Sequence, residues 1–164
     1  MKHLLVGTAA LALCALWVPS ATADDATSQS TFKPLPSDVA TEVAKAQVLR
    51  KQGKLQEAAR ALAQLMLVAP DDARVVGEYG KVMAQEQRGD DALAFLTRAV
   101  ELQPDDWTLY SALGVAYDEN NNPKAAAGAY QHALALKPGD ATVLNNYAMS
   151  KMLSGDMTGA EMTF

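Results

Sequence analysis

Shifted by 34 residues, the chain lies over itself without a gap, and few folds can accommodate that. Pro36, Pro70, Pro104 and Pro138 fall in one column, Asp38, Asp72, Asp106 and Asp140 in a second, and Ala58, Ala92, Ala126 and Ala160 in a third. A fourth column holds only small residues: Ala46, Gly80, Gly114 and Ala148. Units of this length cannot each bury an apolar face alone, so they must stack on their neighbours and share one core.

The unit from Trp107 to Asp140 shows what is repeated. Tyr110, Leu113, Gly114 and Tyr117 recur at helical spacing on one face, and Asp106 precedes them where a carboxylate can cap the first turn. Asn120, Asn121, Asn122 and Pro123 break that helix, with Pro123 suited to the first position of the next. The second helix carries Ala126, Tyr130, Ala133 and Leu134 inward, and Pro138-Gly139 ends it. Small residues at 114 and 126 let the two helices approach closely.

On these residues the chain resembles the tetratricopeptide-repeat (TPR) family. Leu113, Gly114, Tyr117, Ala126, Tyr130, Ala133 and Pro138 match its signature columns, and Tyr110 stands where the family often has Trp. The resemblance covers residues 39–164 and implies an all-α solenoid, a right-handed superhelix of antiparallel helix pairs. The repeats are expected at 39–72, 73–106, 107–140 and an incomplete 141–164, about three and a half in all.

The preceding residues read differently. Met1-Lys2-His3, an apolar run from Leu4 to Val18, and the small residues Ala21-Thr22-Ala23 have the form of a signal peptide over 1–23. The run is shorter than the roughly 20 residues a membrane span needs. The single cysteine, Cys14, lies within it, and Leu13 is bulkier than a lipidation signal places before its cysteine. Cleavage after Ala23 therefore explains the segment better than an outer-membrane lipoprotein anchored through Cys14, and the expected location is the periplasm. Residues 24–38 lack periodicity and read as a disordered tether. Loss of Lys2 with the leader moves the formal charge from −5 to −6, which opposes nucleic acid or an anionic membrane surface as partner.

In the first repeat, Glu42 and Lys45 occupy positions held by Tyr110 and Leu113 in the third, as suits an outer face with no preceding neighbour. Its second helix is expected to feed the core through Leu62, Leu65, Met66 and Val68. In the second repeat, Val76, Tyr79, Gly80 and Met83 face Ala92, Phe95, Leu96, Ala99 and Val100. Arg88-Gly89-Asp90 falls at its turn, where turn chemistry outweighs an integrin-recognition reading. The fourth repeat stops at Phe164 in mid-helix. That implies truncation, or self-association that covers an apolar edge near Tyr147, Ala160 and Phe164; truncation is favoured because two helical turns have little stability of their own.

Catalytic groups are sparse. His132, the one histidine outside the leader, falls on the outer face of a second helix and reads as a solvated surface residue. No Ser-His-acid set or phosphate-cradling loop is visible, and Asp118, Asn120 and Asn122 fail as a calcium loop because Pro123 and Ala129 stand where Gly and Glu are required. The expectation is a protein that is not an enzyme and binds no cofactor and no metal.

The resemblance places the partner site on the concave face of the first helices, at the second, fifth, ninth and twelfth columns. These hold Ala40, Val43, Gln47 and Arg50; Arg74, Gly77, Lys81 and Ala84; Thr108, Ser111, Val115 and Asp118; and Thr142, Asn145, Met149 and Met152. The groove residues expected to bind are Gln47, Arg50, Arg74, Lys81, Ser111, Asp118, Asn145 and Met149, giving a basic N-terminal half and an acidic then neutral remainder. A peptide or protein segment of opposite polarity is the implied ligand. The carboxylate clamp of some TPR domains is not carried over, since Val43 and Gln47 stand in place of its Lys and Asn.

Within the family, the segment Leu113-Gly114-Val115-Ala116-Tyr117, the run Ala133 to Asp140 and the stretch from Val143 to Asp156 are similar to the TadD-type proteins of bacterial tight-adherence (Flp) pilus assembly. That likeness implies a scaffold at the cell envelope that binds a pilus or secretion component. A general periplasmic adaptor or chaperone for envelope proteins, or a regulatory subunit of an envelope enzyme, are the other roles such a chain could fill.

Overall fold

The computed structural model describes residues 38–163. The leader, Cys14, Phe164 and the tether up to residue 37 lie outside the described residues. Eight helices form there: α1 (Val39–Lys51), α2 (Leu55–Met66), α3 (Ala73–Gln85), α4 (Gly89–Leu102), α5 (Trp107–Glu119), α6 (Pro123–Leu136), α7 (Ala141–Leu153) and α8 (Met157–Glu161). The odd-numbered helices open the four repeats and the even-numbered ones close them.

The aspartate column starts every opening helix. Asp38, Asp72, Asp106 and Asp140 accept from the backbone N–H two residues on, at 2.9, 3.0, 2.8 and 3.1 Å, each satisfying a donor that the first turn leaves without a helical partner. Asp38, grouped with the tether in the sequence, thus belongs to α1 as its cap. Arg74 also donates to the Asp72 carboxylate, and that bond is the main reason its pKa lies below the ordinary value.

Every opening helix ends the same way. Gly53, Gln87, Asn121 and Gly155 share one column and a left-handed backbone, with φ of 76°, 59°, 55° and 86°. The N–H groups of Lys54, Arg88, Asn122 and Asp156 reach back to the carbonyls of Leu49, Met83, Tyr117 and Lys151 at 2.8–3.0 Å, the six-to-one bond of a Schellman turn. The glycine of Arg88-Gly89-Asp90 is therefore not the turn residue. Gln87 takes the left-handed position, Gly89 opens α4, and Arg88 pairs with Asp91 at 2.6 Å.

Within each pair the small column receives a large side chain. A Cβ on Gly80 would stand 2.8 Å from Leu96 Cγ, and one on Gly114 would stand 2.6–2.8 Å from three ring atoms of Tyr130. Leu62, Leu96 and Tyr130, one column, are almost fully buried. Closing helices then pack on the next opening helix: α2 on α3, α4 on α5, α6 on α7. Successive opening helices also touch one another, whereas no contact joins α2 to α4 or α4 to α6. The opening helices therefore lie on the inside of the curve. Val68, expected in the core, falls beyond the end of α2 and is 38% exposed.

Gly114→Ala should lower unfolding free energy by about 1–3 kcal/mol in a denaturant titration, because Tyr130 is walled in and cannot move aside. Gly128→Ala, in α6 where an added Cβ meets nothing within 4 Å, should instead raise it by about 0.5–1 kcal/mol from helix propensity. Equal effects would contradict the interlock.

Candidate functional site

The inner face of the opening helices forms a trough with two adjoining recesses. The first, about 400 Å³, lies among α1, α3, α5 and α7, and its lining includes Arg50, Lys81, Trp107, Thr108, Ser111 and Asn146. The second, about 290 Å³, is lined by Val115, Asp118, Glu119, Tyr130, Asn146, Met149 and Leu153. Val115 and Asn146 border both, so the two are continuous.

Of the eight expected groove residues, Arg50, Lys81 and Ser111 line the first recess and Asp118 and Met149 the second. Gln47, Arg74 and Asn145 line neither. The fifth column departs from expectation for a packing reason: Val43, Gly77 and Ser111 are buried, and Gly77 sits against Leu109 of the next opening helix. Val43 and Gly77 are thus withdrawn from the trough, whereas Ser111 still borders the first recess and Asn145 is exposed. At α7 it is the sixth-column residue, Asn146, that reaches the trough, with its Nδ2 3.5 Å from Ser111 Oγ.

The expected basic half is largely neutralised. Arg50 donates to Glu78, which is 2% exposed and lies one position beyond the fifth column. Arg74 is held by Asp72 at 2.6 Å. Lys81 remains, donating to Thr108 Oγ1 at 3.1 Å; burial lowers its pKa, and the negative charges of Glu78 and Asp106 oppose that shift.

The second recess is organised by a triad linking three helices. Tyr130 OH donates to Asp118 Oδ2 at 3.0 Å and Ser150 Oγ to Oδ1 at 2.7 Å. Burial raises the Asp118 pKa, and these two bonds only partly counter it. Glu119 is raised as well, by burial first and by the Asp118 charge second. Tyr130 is pushed far up by burial and then by the same carboxylate, so it remains a donor. No sequence signal marks Tyr130 or Ser150 as partners of Asp118, since they lie 12 and 32 residues away.

His132 is exposed, as expected, but not bare: its ring lies on that of Tyr110 with centroids 4.0 Å apart. Among the described residues no cluster of His, Cys, Asp or Glu could hold a metal ion, and no helix is long and apolar enough to cross a membrane.

A curved stack of helix pairs with a continuous inner trough defines a helical-repeat interaction module. Two family models, each described as tetratricopeptide repeat, match residues 49–117 and 111–164, and together they span most of the chain. The chain thus carries tetratricopeptide repeats over residues 49–164. It is 31% identical over 102 residues to a TPR repeat-containing protein of Dictyostelium discoideum, covering 58% of this chain and 39% of that one. It is 35% identical over 86 residues to the Hsp70-Hsp90 organizing protein of Triticum aestivum, covering 52% and 15%. It therefore spans well under half the length of either relative. The structure of MamA from Desulfovibrio magneticus RS-1 superposes with a TM-score of 0.68 at 22% identity, over 77% of this chain and 72% of that chain, a likeness of fold alone.

Asp118→Asn should raise the melting temperature at neutral pH, because it removes a charge that burial disfavours, while the amide oxygen can accept from one hydroxyl and the amide NH2 donate to the oxygen of the other. A raised carboxylate pKa penalises the folded state fully above the folded value and not at all below the unfolded one. The gain should therefore shrink as pH falls toward the ordinary value of 3.8. A pH-independent difference would contradict this assignment of the burial penalty.

Proposed function

We propose that the chain is a non-catalytic scaffold of the bacterial cell envelope that binds a partner segment in the trough and works in Flp/Tad pilus assembly or secretion. The observation that carries the binding role is the continuous pair of recesses on the opening helices, which combines apolar walls with a few polar groups, as peptide grooves do. The form of residues 1–23 supports export to the periplasm, and the TadD-like segments support the pilus setting. The partner is a protein rather than nucleic acid, consistent with the acidic net charge of −5.

A second reading, a general periplasmic adaptor or chaperone, is favoured by one observation. Met149 and Leu153, which line the second recess, are 50% and 74% exposed, and Met152 and Met157 close by in sequence are 41% and 57% exposed; flexible methionines of this kind repack against varied partners.

Val115→Arg, at the junction of the recesses, tests the proposal. Affinity capture from envelope extracts of the native host should return a pilus or secretion component with the wild-type chain, and several-fold less with the variant at unchanged helicity. Many unrelated envelope proteins would instead support the adaptor, and capture indifferent to the substitution would refute the trough as the binding face.

A further inference from the structure

The second recess contains a carboxylate to which the fold supplies only neutral donors. Asp118 is oriented by the hydroxyls of Tyr130 and Ser150, and among the described residues no lysine or arginine lines the recess around it. The nearby cations are engaged elsewhere: Lys151 Nζ bonds Gly159 O at 3.2 Å and Thr163 Oγ1 at 2.8 Å and sits over the Tyr147 ring, while Arg50 and Lys81 belong to the first recess.

Hydroxyls orient a carboxylate but do not neutralise it, and a charge withdrawn from water without a counter-charge is costly. The fold does not need that charge. A neutral amide would still accept from one hydroxyl through its oxygen and could donate its NH2 to the oxygen of the other, and burial holds the acid above its usual pKa, so this position opposes stability at neutral pH. Glu119 adds negative potential at the same wall, and the chain as a whole is acidic, which steers cationic partners toward it. The walls suit one kind of cation. Val115, Met149 and Leu153 are apolar, with Met149 50% and Leu153 74% exposed, and a long basic side chain lays its methylene stem on such surface while its head meets the acid.

We propose that this recess takes an arginine or lysine side chain of the partner segment, flanked by apolar residues, with the charged head on Asp118 and the stem against Val115, Met149 and Leu153. The inference rests on the trough being the partner-binding face and adds the chemistry of the occupant. Arginine is the better fit, because its planar fork can reach the lone pairs that Tyr130 and Ser150 leave open on both carboxylate oxygens.

A random dodecapeptide library displayed on phage tests it with the full chain, without knowledge of the natural partner. Sequences enriched on the wild type should carry a basic residue beside apolar ones, and Asp118→Asn should abolish that bias. Asp105→Asn, which removes an equal charge from an exposed loop, should leave it intact. Replacing the basic residue of the best enriched peptide by its neutral isostere, citrulline for arginine or norleucine for lysine, should weaken its binding to the wild-type chain by about tenfold or more. Enrichment without basic bias, a bias that survives in Asp118→Asn, or the neutral isostere binding as well as the basic residue would overturn the cation site and leave the trough reading standing. A selection that enriches nothing on any of the three proteins would overturn both.

Discussion

The architecture depends on how closely two helices of one hairpin can approach. Gly80 receives Leu96 and Gly114 receives Tyr130, each glycine leaving a socket that a methyl group would fill. That fit sets the pair geometry, and the pair geometry decides which helices meet across repeats. Opening helices touch their successors while the closing helices of α2, α4 and α6 do not, so the stack curves toward the opening helices and leaves a trough along them. The concave surface is thus a consequence of the core.

Tyr130 joins the two. Its ring fills the Gly114 socket and its hydroxyl emerges at Asp118 in the trough. The orientation of the carboxylate is fixed by a residue that core packing already holds still, which lowers the ordering cost of any partner that meets it. The charges of the trough follow a similar logic. Arg50 is spent on Glu78 and Arg74 on its helix cap, so two of the three cations expected to make the trough basic are paired within the fold. Among the described residues, Lys81, Asp118 and Glu119 are the charges without an opposite partner that the trough presents.

The periodic part of this organisation was legible in the sequence because it repeats. Four aspartates, four small residues and a large residue two turns into each closing helix announce the helices, their caps and their packing faces. What the sequence hid is not periodic. Glu78 has no acidic counterpart in the other repeats, and its pairing with Arg50 crosses from one opening helix to the next. Ser150 and Tyr130 meet Asp118 only because the hairpin and the stack bring distant positions together. The fifth column is divided for the same kind of reason: Ser111 borders the first recess, while Gly77 is closed off by Leu109 of the following repeat. Gln87 shows the reverse case, a position whose neighbours in the column are glycine or asparagine and whose left-handed backbone could have been read from them.

The central claim, that partners are held on the inner face of the opening helices, is tested most directly by a photo-reactive amino acid placed one position at a time. Lys81, Val115 and Met149 sample the trough, while Gly128, which is exposed on α6, samples the closing-helix side. Irradiation in cells of the native host should give a partner adduct from the trough positions and none from 128. Adducts confined to position 128, or spread evenly over all four positions, would contradict the account.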